Sequence, residues 1–178
     1  MKLLKWAGIV VAGLLLLFGL AVLFAPAVQY ETRVVVDRPV DACWRVFADD
    51  SRMGEWLTGF KSIETISGEP HQAGSRFRLT FEEDGQQIVF EEEVLVWKEE
   101  EEFSFRLEHA MMDSDNTIRF SDLGDGRTEI VSTSEVRGHP LFKPVLPLMK
   151  GSFVERNEQT YERLKAMIEA EPASAGSE

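Results

Sequence analysis

Cysteine is almost missing from this chain of 178 residues. The lone Cys43 has no partner for an internal disulfide, so packing alone must hold the fold, and thiol chemistry leaves the compartment open. Histidine is nearly as scarce. His71, His109 and His139 stand in three distant segments with no i, i+4 pair, which speaks against a zinc site built from closely placed N and S ligands. Basic residues are few, 19 against 31 acidic, for a net charge of −12. That balance argues against nucleic acid as a partner, because binding to a phosphate backbone is driven by clustered Lys and Arg. There is no glycine-rich phosphate loop, no G-x-S-x-G nucleophile turn and no internal repeat. No metal and no cofactor is expected.

Charge is also missing from one particular place. Between Lys5 and Glu31 no charged side chain occurs, and WAGIVVAGLLLLFGLAVLF fills residues 6–24. About 20 helical residues cross a hydrocarbon core, so residues 1–28 are expected to form one transmembrane helix. A cleaved signal peptide is the alternative, with Lys2 and Lys5 as its basic start and Ala25-Pro26-Ala27 as its cleavage site. The apolar run is longer than the usual 7–15 residues, and Pro26 interrupts the site, which favours an uncleaved single-pass anchor. The two lysines, with no acid beside them, favour a cytoplasmic N-terminus and a domain outside the cytoplasm, although Arg33 and Arg38 match them in number on the far side of the span. Without the leader, residues 29–178 hold 17 basic and 31 acidic residues, a net of −14.

The rest changes period twice. ETRVVVD reads as a strand, and Pro39 ends it. Val40, Cys43, Trp44 and Phe47 follow at i, i+3, i+4, i+7, the stripe of a short amphipathic helix. A second short helix is expected from Ser51, as its cap, to Trp56, with Gly59 as its end. Six runs of period two come next: FKSIETI, RFRLTF, QQIVFEEEVLVW, EFSFRLEHA, NTIRFSD and TEIVSTSEV. Asp84-Gly85 is the strongest hairpin signal among their turns, since both residues tolerate positive φ. A long C-terminal helix carries Leu148, Met149, Phe153, Tyr161, Leu164, Met167 and Ile168 on one stripe, with Arg163 and Lys165 toward its end. Residues 171–178 are small, polar and acidic and are expected to be disordered.

VVVDRPVDACWRVFADDSRMGEWLTGF and FVERNEQTYERLKAMIEAE resemble the opening and the close of the SRPBCC or START-like superfamily, which includes polyketide cyclase/dehydrase-like proteins. The resemblance covers about residues 30–170. It implies an α+β helix-grip fold, here over residues 29–170: a curved antiparallel sheet of about seven strands around a long C-terminal helix, which the transmembrane helix expected from the apolar leader would precede. It also implies a cavity between sheet and helix for an apolar ligand. Many members are not enzymes, so the fold assigns no activity.

Alternation along the strands nominates the cavity wall: Phe77, Phe81, Phe90, Phe103, Phe105 and Phe120 from strands, with Trp56, Met149 and Phe153 from helices. The same residues could equally make a filled core. Two catalytic candidates accompany them. Glu92 shares a strand face with Ile88, Phe90, Val94 and Val96, where desolvation would raise its pKa; the alternative is a solvated face. His109 ends the series Phe103, Phe105, Leu107 and could donate a proton at a cavity mouth. His71 and His139, each beside a proline, are expected in loops, Cys43 as a buried thiol, and residues 99–102 in an exposed turn. The segment 141–149 could be a gate, a membrane-touching patch or ordinary packing.

These features converge on membrane-anchored binding of a hydrophobic small molecule or lipid. One alternative is a polyketide cyclase or aromatase-like enzyme using Glu92 or His109; another is a protein-interaction domain like the chaperone activators of the superfamily.

Overall fold

The computed structural model describes residues 2–172; the side chains at 2–5, 7, 8, 15 and 21 lie outside the described set, as does most of the expected tail, 173–178. Helix α1 (Lys2–Phe24) comes first. Ile9, Val10, Val11 and Leu14, which point to different sides at 100° per residue, are all exposed. Among the described residues no helix is long and apolar enough to cross a membrane, so the expected span is not supported there.

Strand β1 (Val28–Val36) begins three residues before the expected ETRVVVD. Pro39 stands at the N-cap of α2 (Val40–Phe47), which buries Cys43, Trp44, Val46 and Phe47. A 3₁₀ turn (Asp50–Arg52) then runs into α3 (Met53–Trp56). Its cap is Asp49 rather than Ser51: the Asp49 carboxylate accepts from the Ser51 backbone N–H at 3.1 Å and from the Ser51 hydroxyl at 2.6 Å. A carboxylate one residue before the turn reaches these donors better than the shorter hydroxyl.

Six further strands follow: β2 (Phe60–Ser67), β3 (Arg76–Glu83), β4 (Gln86–Lys98), β5 (Glu102–Glu108), β6 (Met112–Asp122) and β7 (Thr128–Gly138). All neighbours are antiparallel in the order β1-β7-β6-β5-β4-β3-β2. The strands that α2 and α3 connect thus lie at opposite edges of the sheet. Asp84 and Gly85 make the tight β3–β4 turn with φ of 50° and 75°, a pair of left-handed residues that matches the twist of the flanking strands. Strand β6 starts at Met112, four residues before NTIRFSD, because antiparallel pairing with β7 holds its polar start in the ladder despite the low β propensity of Asp and Asn.

Helix α4 (Leu146–Ala170) has Pro147 in its first turn, where the missing N–H costs no hydrogen bond. It meets β1, α2 and α3 and buries Tyr161, Leu164 and Ile168 against Trp44, Phe47, Phe120 and Ile130. This solid core occupies the C-terminal half of the helix. At the other end Leu148 departs from the expected stripe and is 85% exposed. No basic residue lies in the last turn; Arg163 donates instead to the Thr58 hydroxyl at 2.9 Å.

Candidate functional site

Toward the N-terminal half of α4 the sheet and the helix separate, leaving a cavity of about 460 Å³. Strands β3, β4 and β5 supply an aromatic and aliphatic wall that includes Phe77, Phe81, Phe90, Phe103 and Phe105, Trp56 comes from α3, and Met149 and Phe153 come from α4. Phe103 and Phe105 stack with centroids 4.6 Å apart, and Phe81 meets Phe90 edge-on at 5.9 Å. Phe120 is not part of this wall. It lies in the filled core, 5.1 Å from both Trp44 and Phe47. Its strand face agrees with the expected alternation, but distance along β6 puts it beneath α2 rather than beside the cavity.

A bulge in β4 refines the register. Pairing with β5 shifts between Val94 and Val96, and from there the inward position passes to Trp97. Val96 therefore leaves the face it was expected to share with Glu92, because one extra residue reverses the alternation. Strand alternation holds for Ile88, Phe90, Glu92 and Val94, all of which line the cavity.

Glu92 is the sharpest polar feature of that wall. It is 7% exposed, sits across from Phe77 and Leu107, and has no hydrogen bond or ion pair among the described residues. Burial pushes its carboxyl up to about 8, with the Asp50 charge adding to the effect. The neighbouring glutamates differ. Glu91 pairs with Arg76 at 3.2 Å and Arg78 at 3.5 Å on the outer face. Glu102, expected in an exposed turn, instead begins β5 and accepts from Ser104 and Arg119, both at 2.9 Å, which hold its carboxyl below the usual range against the opposing effect of burial.

A polar seam on the opposite wall escaped the sequence reading. Ser134 donates to Asn116 Oδ1 at 2.8 Å, Asn116 Nδ2 donates to Ser114 Oγ at 3.0 Å, and Asn157 Nδ2 from α4 donates to Thr32 Oγ1 at 2.9 Å. Tyr30 and Tyr161 border it, their hydroxyls shifted upward by burial, with Ser134 and Ser132 respectively counteracting by hydrogen bonding. The signal was present in β7: Thr128, Ile130, Ser132, Ser134 and Val136 share one face, and buried Ile130 and Val136 carry both serines inward.

The histidines separate. His71 is in a loop as expected, yet it borders the cavity with φ of 61° and stacks on Trp97. His109 also borders it, its ring 5.0 Å from Phe90, with Nδ1 accepting from the Met111 N–H at 3.3 Å. His139 lies away from the cavity, bonded to Asp113 at 3.1 Å, which raises its pKa, as does the Ala110 carbonyl. Cys43 is fully buried and its thiol is pushed up by burial, the opposite of what a reactive thiolate needs. Among the described residues no group of three or more His, Cys, Asp or Glu is placed to hold a metal ion.

A seven-stranded antiparallel sheet with a long C-terminal helix has counterparts among known proteins. The model of the family described as polyketide cyclase / dehydrase and lipid transport matches residues 27–169. The chain belongs to this family. Its match begins just after α1 and ends one residue short of the end of α4. Among solved structures, the Zhui aromatase/cyclase from Streptomyces sp. R1128 superposes with a TM-score of 0.67 at 15% identity, over 83% of this chain and 97% of that one. A START superfamily protein from Mycobacterium smegmatis gives 0.64 at 18%, over 79% and 97%. The protein TTHA0849 from Thermus thermophilus gives 0.64 at 21%, over 79% and 96%. These likenesses concern the fold. No curated protein sequence matches the chain.

Proposed function

We propose that this family member binds a hydrophobic small molecule or lipid between its sheet and α4, and that α1 keeps the domain at a membrane. The cavity carries the reading: a space of about 460 Å³ walled mainly by aromatic and aliphatic side chains is of the size that encloses a drug-sized apolar molecule. Each Å² of apolar ligand surface removed from water contributes about 25 cal/mol.

Three observations support the anchor. Helix α1 has 23 residues, and no charge follows Lys5 within it. Its described large apolar side chains other than Val22 are exposed, as in a helix whose partner is lipid rather than protein. Leu141, Phe142, Val145, Leu148 and Met149 add a second exposed apolar patch, and Lys143 within it donates to the Leu23 carbonyl at the end of α1. Met149 also borders the cavity, so ligand would exchange on the membrane side. The basic start of α1 favours an extracytoplasmic domain. Alkaline carbonate extraction of membranes, combined with the mass of the mature chain, tests the anchor: release into the wash, or loss of the first 27 residues, removes it. Native mass spectrometry of the full chain in nanodiscs tests the binder. A co-purifying apolar molecule is expected; the absence of both a bound molecule and any uptake of an apolar dye would defeat the reading.

A second reading, cyclase or aromatase-like proton chemistry, is favoured by one observation, the unpaired Glu92 carboxyl in the cavity wall. Hydrogen–deuterium exchange into a bound β-diketone, faster with wild type than with Glu92→Gln, would support it; equal rates would leave the binding reading alone.

A further inference from the structure

The two walls of the cavity differ in what they leave undone. Across the seam of Ser114, Asn116, Ser134, Thr32 and Asn157, the side chains already satisfy one another, so that wall presents polarity without demanding a partner. Glu92 faces the same space from β4 between Phe77 and Leu107, nine-tenths buried, with no protein donor or acceptor within reach among the described residues. Its oxygens open onto the cavity, unlike the sealed and unpartnered Trp56 indole N–H nearby, so a group held in that space can complete a hydrogen bond with them.

We propose that Glu92 is the recognition group of the cavity, donating a hydrogen bond from its protonated carboxyl to a carbonyl oxygen of an otherwise apolar ligand. The inference rests on the binding reading and adds the chemical class. An anion is disfavoured by Asp50, which borders the same space. An amine would create a buried ion pair among phenyl rings, where the cost of desolvating two charges offsets their attraction. A neutral carbonyl needs only a donor, and a carboxyl kept protonated by its apolar surroundings is one. Other titratable groups bordering the cavity are His71 from the β2–β3 loop, Glu83 at the end of β3, His109 after β5, and Arg156 and Tyr161 from α4, with Tyr30 from β1. Arg156 is paired with Glu83 and His71 lies 3.6 Å from Asp50, so each of these groups has a partner other than Glu92.

Matched probes of one shape test the class: 9-fluorenone, fluorene and 9-aminofluorene, titrated into the full-length protein in nanodiscs, with partition into the disc cancelling between variants. Wild type is expected to prefer fluorenone over fluorene by about fivefold at pH 6, the worth of one hydrogen bond. The preference should fade as pH rises through 8. Glu92→Leu should bind both equally, whereas Glu92→Gln, still a donor, should keep a preference that no longer depends on pH. The fluorenone carbonyl stretch should move to lower wavenumber in wild type and not in Glu92→Leu. A preference that survives in Glu92→Leu, or tighter binding of 9-aminofluorene than of fluorenone, overturns the assignment while leaving the pocket intact. Failure of wild type to bind even fluorene defeats the binding reading itself.

Discussion

His71 lies flat on Trp97, ring centroids 4.1 Å apart and planes 11° from parallel, while its Nε2 approaches Asp50 to 3.6 Å. The contact ties the β2–β3 loop to the bulged end of β4, and both rings border the cavity. His71 holds a left-handed φ of 61°, which for a non-glycine residue costs roughly 1–2 kcal/mol. His71→Gly relieves that backbone cost but loses the stacking, so its stability should stay within about 1 kcal/mol of wild type in urea unfolding. His71→Ala keeps the backbone cost and should be about 1 kcal/mol less stable than the glycine variant. Both should release a bound dye faster in stopped-flow measurements.

Glu92 makes stability fall with pH. Its folded pKa of about 8 stands above the ordinary carboxylate value of 4.5, so between those limits the folded chain retains a proton that the unfolded chain has lost. The penalty is absent below about pH 4.5, grows through the interval and is complete above about 8. Glu92→Leu should therefore gain a few kcal/mol relative to wild type at about pH 8.5 and much less at about pH 5. Urea unfolding at the two pH values checks it, and an equal difference at both would refute the shift.

Phe120 and Phe90 separate core from cavity. Phe120→Ala empties a packed site against Trp44 and Phe47 and should cost about 3–5 kcal/mol. Phe90→Ala borders space that is already open and should cost less, while shifting ligand preference toward larger molecules. Denaturation midpoints and competition binding distinguish the two effects.

Gly138 ends β7 where the chain turns toward α4. A Cβ there would come within 2.7 Å of Lys143 Cα and Leu146 Cδ1, and the backbone atom cannot rotate away. Gly138→Ala should displace the 139–145 turn and cost about 1–3 kcal/mol, with faster amide exchange in that turn as the local readout.

Arg156 on α4 pairs with Glu83 at the end of β3, and both border the cavity. The pair is exposed, so Arg156→Ala should change stability by less than about 1 kcal/mol. Ligand exchange should nevertheless quicken, because the pair joins the helix to the rim of the sheet. Unchanged off-rates would show that exchange takes another route.

Local chemistry determined much of this molecule directly from sequence. Pro39 and the i, i+3, i+4, i+7 stripe set α2, Asp84-Gly85 set a hairpin, and period two set six strands, because each depends on backbone preferences within a few residues. Glu92 was nominated by the same alternation, which left a solvated face open as the alternative. Tertiary structure decided what alternation leaves open. Phe120 and Phe105 follow the same strand rule, yet one is core and the other cavity wall, because only the position of α2 and α4 over the sheet says where space is filled. The β4 bulge that turns Trp97 inward, and the serine seam of β7, depend on pairing with neighbouring strands. Whether Glu92 finds a partner is likewise a property of the assembled cavity, since every group that could have satisfied it comes from a different part of the chain.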